Sequence, residues 1–250
     1  MFMEFNARPQ NGFLRSLDAA DFEVIRPHLQ TAELTQSQVL LKFGEPVEQI
    51  YFPHTCLLSR MLELDTGESM EIAMIGRDSV LGALAATGTP SAQTGAIVIW
   101  PGLASVIDTS LLRAAAERSP ALSATLAQHG QSLLIQAQQA MGCKALHPVE
   151  SRLARWLSQV RDMTGSDRFT MTQETMAQMI GARQNSVSIV VQAFERENLI
   201  SHGHGEVEII NPRRLVNTAC KCYAAIKSQH ESLRWSVEHP IERREVRIGC

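Results

Sequence analysis

Gln184 and Asn185 stand side by side within the segment TQETMAQMIGARQNSVSIVVQ, residues 172–192 of a 250-residue chain, with Arg183, Ser186 and Ser188 around them. A Gln or Asn side chain presents a donor and an acceptor together, which matches the edge of adenine in the major groove, while Ser pairs with either kind of group. Arg183, just ahead of them, has the type and place to hold a phosphate. Thr172 and Gln173, with the free amides at the start of the preceding helix, could hold another. Gln192 lies further along the same side. The chemistry these residues offer is recognition of a DNA duplex.

Such readers need a pair of helices to present them. Thr172 is a good N-cap, since its hydroxyl accepts from a free amide of the first turn. Met176, Ala177 and Ile180 give the first helix an inward face, with Ala177 small enough for a second helix to cross closely. Gly181 marks the turn, where a left-handed backbone is inexpensive only for glycine. Val187, Val190, Val191 and Phe194 repeat at i, i+3, i+4 and i+7, the buried stripe of a second helix whose outer side carries the polar group. The geometry is that of a helix-turn-helix whose second helix enters the groove by its N-terminal end. Downstream, Leu199-Ile200 and Val207-Glu208-Ile209-Ile210 read as short strands around His202-Gly203-His204-Gly205, a hairpin wing. His202 and His204 are taken as exposed turn residues rather than metal ligands.

Upstream the texture differs. Residues 38–108 hold short apolar runs separated by turn signals, with alternation such as Leu58, Leu62 and Leu64, then Met70, Ile72 and Met74, around Asp65-Thr66-Gly67-Glu68. The pattern predicts an antiparallel β-barrel or roll. From Thr109 the chain is rich in Ala, Leu and Gln, which predicts a short helix and then a longer one over about 120–141, with Pro120 in its first turn. Along the longer helix Leu122, Leu126, His129, Leu133, Gln136 and Ala140 alternate in steps of four and three, the seam of a two-stranded coiled coil. A helix packed on its own barrel is the competing reading. His147-Pro148 interrupts the helical pattern, and an amphipathic helix follows with Val149, Leu153, Trp156, Leu157 and Val160 on one face. The expected division is therefore a roll with its long helix over 1–147, a winged helix-turn-helix domain over 148–235, and a tail over 236–250.

Residues 1–147 carry 9 Lys/Arg against 14 Asp/Glu, while 148–235 carry 11 against 9. The surface compatible with a polyanion is thus C-terminal, although the whole chain has a formal charge of −3. No long apolar run or secretion signal stands out, so no membrane partner and a cytoplasmic location are expected. The five cysteines, Cys56, Cys143, Cys220, Cys222 and Cys250, are odd in number and show no CxxC spacing. Reduced, inert thiols are the expectation. Cys220-Lys-Cys222 is set aside as a metal or redox pair because residues two apart on a helix face different ways. No Walker loop, GxSxG or HExxH is present, so neither catalytic residues nor metal ligands are assigned.

The order of roll, long helix and TQETMAQMIGARQNSV…VQAFERENLIS resembles the family of transcription regulators that includes the cyclic-AMP receptor protein and Fnr, over about residues 20–230. GEPVEQIYF, DTGESMEIAMIGRDSVLGAL and ENLIS match best. The resemblance implies an α+β chain: a cyclic-nucleotide-binding-like β-roll, a long dimerisation helix carrying Leu122, Leu126, His129, Leu133 and Ala140, and a C-terminal winged helix-turn-helix. It also implies a homodimer on double-stranded DNA with a two-fold operator, a small-molecule effector in the roll, and RNA polymerase as a further candidate partner. Gly82, Ala83, Leu84, Gln93 and Thr94 fall where an effector pocket is expected. Two departures follow. Ala83 and Gln93 replace the Glu and Arg that hold ribose and phosphate in nucleotide-binding members, which argues against cyclic AMP bound in the usual way. No cysteine precedes Cys56, so the N-terminal iron–sulfur cluster of other members is not expected, and the cofactor is left unassigned. Ile189 matches an arginine that contacts guanine in the cyclic-AMP receptor, which implies a different operator. Two other classes remain open: an enzyme's regulatory subunit using the roll, or a protein-interaction module that does not read DNA.

Overall fold

The computed structural model describes residues 10–228. The expected tail over 236–250 and Cys250 lie outside the described residues. Two short helices that the sequence pattern did not suggest come first, α1 (Gly12–Ser16) and α2 (Ala19–Ile25). Asn11 explains their place. Its side-chain oxygen accepts from the Leu14 amide at 3.0 Å, while its amide nitrogen donates to the carbonyls of Pro53 and Ser79 at 2.8 and 2.9 Å. One buried side chain thus caps α1 and ties it to the strands behind.

Seven strands follow: β1 (Gln30–Leu34), β2 (Val39–Leu41), β3 (Gln49–Pro53), β4 (Leu57–Glu63), β5 (Ser69–Ile75), β6 (Gly95–Trp100) and β7 (Gly102–Asp108). They form two antiparallel sheets, ordered β1-β7-β3 and β2-β6-β4-β5, which close into the roll. The β4–β5 hairpin turns through Gly67 at φ 81°, where a side chain would be strained. β4 buries Leu57, Leu58 and Ser59 in succession instead of alternating. The cause is cover on both faces: Leu58 packs inside the roll with Ile75 and Val98, while Leu57 and Met61 join Trp156 and Ile180 of the C-terminal domain.

A one-turn helix α3 (Leu84–Thr87) interrupts the strands, and α4 (Thr109–Arg118) and α5 (Pro120–Leu146) follow them. Ser119 caps α5 by accepting from the Leu122 amide at 3.1 Å. The helix runs past the expected residue 141 to the extended His147, which Pro148 keeps out of helical angles.

The coiled-coil seam expected on α5 is already covered by this chain. Leu122 and Leu126 pack with Phe13, Ile25 and Phe52. His129 is tied to the segment after β5: its Nε2 accepts from the Val80 amide at 3.2 Å and lies 2.7 Å from the hydroxyl of Ser79. Leu133 joins the roll's interior, Gln136 is buried and Ala140 half-buried. A stripe with steps of three and four marks a buried face but does not say what buries it. The opposite stripe has the same steps and stays open: Ala124, Ala127, Gln131, Leu134, Gln138, Met141 and Ala145 are all exposed, with Leu134 at 58% and Met141 at 65%.

The C-terminal part comprises α6 (Val149–Thr164), β8 (Arg168–Thr170), α7 (Gln173–Ile180), α8 (Gln184–Arg196), β9 (Ile200–Gly203), β10 (Glu206–Ile209) and α9 (Pro212–Thr218). β8, which the sequence pattern did not suggest, makes a three-stranded wing in the order β8-β10-β9. The turn of the wing is tighter than expected, with His204 and Gly205 both at positive φ, 53° and 78°. Cys220 lies in the loop after α9 and Cys222 at the start of a helical stretch over 222–228. The premise that the two share a helix and diverge is therefore wrong: both reach the end of α5, where Cys143 lies 3.5 Å from Cys220. No helix among the described residues is long and apolar enough to cross a membrane.

Candidate nucleic-acid interface

The presenting frame is built as local chemistry dictates. Thr172 accepts from the Thr175 amide at 3.1 Å and starts α7. Gly181 ends α7 in a left-handed conformation, φ 61° and ψ 54°, with its amide bonded back to Ala177 and Gln178. Met176, Ala177 and Ile180 of α7 and Val187, Val191 and Phe194 of α8 are buried in one cluster with Trp156 and Leu199. The polar side of α8 is thereby turned outward.

Arg183, Gln184 and Asn185 are exposed at the start of α8, and none has an intramolecular side-chain hydrogen bond or ion pair among the described residues. Ser186 is half-buried. Ser188 and Gln173 are not free in the same way: the Ser188 hydroxyl donates to the Gln173 side-chain oxygen and also contacts the Gln184 carbonyl at 3.1 Å. Those two brace α7 against α8. Between Asn185 and Gln192, also exposed, stands Ile189, 67% exposed, an apolar surface beside the polar readers.

The helix pair is fixed to the roll through buried polar groups. Trp156 donates from its indole nitrogen to a Glu71 carboxylate oxygen at 2.9 Å, and Ser59 donates to the other oxygen at 2.8 Å. Lys144 bonds the Glu71 carbonyl, and burial holds its ammonium down at about 8. Burial pushes the Glu71 carboxyl above the usual carboxylate range, against the opposing pull of Ser59, Lys144, Arg155 and Trp156. Arg152 donates to the carbonyls of Lys144, Ile180 and Gly181 at 3.2, 3.1 and 3.3 Å. A cation at these helix ends also suits their dipoles. Gln178 meets Ser69, and Gln36 donates to the Thr170 carbonyl at 2.9 Å. The sequence pattern could not show this interface, because its partners lie far apart along the chain.

Inside the roll, Gly82, Ala83, Leu84, Gln93 and Thr94 line a single cavity of about 390 Å³. Arg60 is the residue that the sequence pattern missed there. The register of β4 slips between Arg60 and Met61, and the guanidinium donates to the Thr94 hydroxyl at 3.1 and 2.8 Å. It has no carboxylate partner among the described residues, and burial lowers its affinity for its proton. A strand arginine whose side chain turns inward carries no local sequence signal.

Residues 151–218 match the family model of the Crp-like helix-turn-helix domain. No curated protein matches the chain by sequence. The fold is shared with FixK2 from Bradyrhizobium japonicum, at TM-score 0.63 and 17% identity over 77% of this chain and 98% of that one. The c-di-GMP responsive global regulator CLP of Xanthomonas campestris gives 0.64 and 13%, covering 77% and 99%. A transcriptional regulator of the CRP/FNR family from Thermus thermophilus gives 0.61 and 18%, covering 76% and 100%. Residues 151–218 therefore carry a Crp-like helix-turn-helix domain, and the chain as a whole shares its fold with these regulators.

Proposed function

We propose that the protein is a homodimer that reads an inverted-repeat operator with the first turn of α8 and answers to a small anionic effector in the roll. The carrying observation is the exposed set Arg183, Gln184 and Asn185, without side-chain partners among the described residues, at a helix start where the neighbouring Gln173 and Ser188 are already engaged with each other. Gln184 and Asn185 take the base-reading role and Arg183 a phosphate, with Thr172 and the free amides of α7 holding a second phosphate. Ile189 favours an apolar contact, such as a thymine methyl group, at the position next to them.

The exposed stripe of α5 supports the dimer, since Leu134 and Met141 on a helix face of coiled-coil spacing are covered by a second copy of that stripe. Arg60, half-buried and without a carboxylate partner among the described residues, favours an anionic effector. The site of action is the cytoplasm, where DNA and RNA polymerase are found, the latter as a further candidate partner. A gel-shift against genomic fragments tests the reading. Saturable, competitor-resistant binding to particular fragments supports it; equal binding to all fragments, or none, favours a protein-interaction role instead.

A further inference from the structure

Four side chains that play no part in DNA reading converge where the long helix meets the C-terminal domain. Cys143 lies in the last turn of α5, and His147 follows at i+4 at its C-cap, so both project from one side. Cys220 and Cys222 come from the segment after α9. The three sulfurs and an imidazole nitrogen all lie within 4.8 Å of one another. Cys143 Sγ is 3.5 Å from Cys220 Sγ, and Cys222 Sγ is 3.5 Å from His147 Nδ1.

Those separations suit one tetrahedral ion. Metal–sulfur bonds of about 2.3 Å at tetrahedral angles set the ligand sulfurs about 3.8 Å apart. They are too close for the four corners of an iron–sulfur cluster, whose sulfurs bind separate irons. Three thiols and an imidazole form a soft donor set, which favours zinc-like ions over magnesium or calcium. The surroundings are suited to thiolates as well. Gln139 donates from its amide nitrogen to Cys222 Sγ at 3.0 Å, and the Arg152 guanidinium interacts electrostatically with Cys143 and Cys220. Such groups orient ligands and balance the surplus negative charge of a three-thiolate site. Cys143 and Cys222 are buried while His147 and Cys220 are partly exposed, which leaves a path for entry.

We propose that Cys143, His147, Cys220 and Cys222 form a closed, four-ligand site for one thiophilic divalent cation of the zinc class. Two ligands precede Pro148 and two follow α9, so a bound ion ties the last turn of α5 to the segment after α9. Binding releases the thiol protons.

The test is a cobalt titration of the reduced, chelator-treated full-length chain, followed by zinc. The expected result is one Co²⁺ per chain, with thiolate-to-cobalt charge-transfer absorption and the visible bands of a tetrahedral ion, bleached by one equivalent of Zn²⁺. Cys220→Ser/Cys222→Ser should lose these bands, while Cys56→Ser/Cys250→Ser keeps them. His147→Cys retains a four-ligand site, so it should keep the stoichiometry and shift the visible bands to longer wavelength. That variant also covers the case in which the double serine variant does not fold. The proposal is overturned if the reduced chain binds no stoichiometric cobalt, if the bands survive in Cys220→Ser/Cys222→Ser, or if His147→Cys leaves them unmoved. Thiol counting that shows a Cys143–Cys220 disulfide in the metal-loaded protein would equally defeat it.

Discussion

At the start of α8 the polar side chains Arg183, Gln184 and Asn185 stand in solvent without partners among the described residues, whereas in the roll Arg60 is drawn inside and held by Thr94. The first arrangement keeps its groups hydrated and free to exchange water for another large polar surface. The second is half-buried and has given up part of its water, so a ligand that brings a negative charge gains more there than a neutral one of the same size. One surface suits a polyanion read from outside. The other suits a small anion that is enclosed. Glu71, Trp156 and Lys144 lie between them, which makes the docking of the two regions a physical link rather than a loose tether.

The comparison rests first on α5, whose two faces should respond differently. Leu126→Ala on the covered face should cost about 2–5 kcal/mol of stability in denaturant unfolding, because it opens a cavity in the core shared with Phe13 and Phe52. Leu134→Asp/Met141→Asp on the open face should leave the chain folded by circular dichroism, remove the concentration dependence of its thermal unfolding, and yield monomers in sedimentation. A folded dimer from that second variant would place the seam elsewhere.

The link between the regions is the next target. Glu71→Ala strands the Trp156 indole N–H and should cost about 1.5–3 kcal/mol. Glu71→Gln keeps an acceptor for Trp156 while removing a charge that burial disfavours, so it should be close to neutral or stabilising at pH 7. The sign with pH follows from the raised carboxyl: folding favours the protonated form. Wild-type stability relative to Glu71→Gln should therefore be highest below the unfolded value of about 4.3 and decline as pH rises through the folded one. A difference that grows in the opposite direction would mean that Lys144 and Arg155 outweigh burial.

In the roll, calorimetry with millimolar cyclic AMP should give no saturable heat, since Ala83 and Gln93 supply neither the ribose acceptor nor the usual cation. Saturable heat that disappears in Arg60→Gln would show that Arg60 replaces that cation. The smallest effect belongs to Arg183→Ala, which should weaken all DNA sequences about equally and flatten the salt dependence by about one unit per half-site.

The winged domain was legible because its cues are local. Thr172 as cap, Gly181 at the turn and the stripe from Val187 to Phe194 lie within one stretch of 23 residues, and each acts on its own neighbours. The β4–β5 hairpin was legible for the same reason. The stripe on α5 was visible, but a periodicity cannot name its partner, and the roll took the face that seemed to call for a second chain. Arg60, the Glu71–Trp156 bond and the meeting of Cys143 with Cys220 depend on residues 34, 85 and 77 positions apart, so no local pattern announces them. The nearness of Cys220 and Cys222 was hidden by an assumed helix where the chain makes a loop.

Selection from a randomised duplex library, run in parallel with the wild-type chain and Gln184→Ala/Asn185→Ala, tests the central claim most directly. The account predicts an inverted repeat for the wild type, with half-site centres about 10 base pairs apart. Each of the two substitutions should cost roughly 1–3 kcal/mol on that site and relax preference at one base pair per half-site, with general affinity falling less. A non-palindromic wild-type site, or a double variant that selects the same bases as the wild type, would contradict the assignment of α8 as the reader.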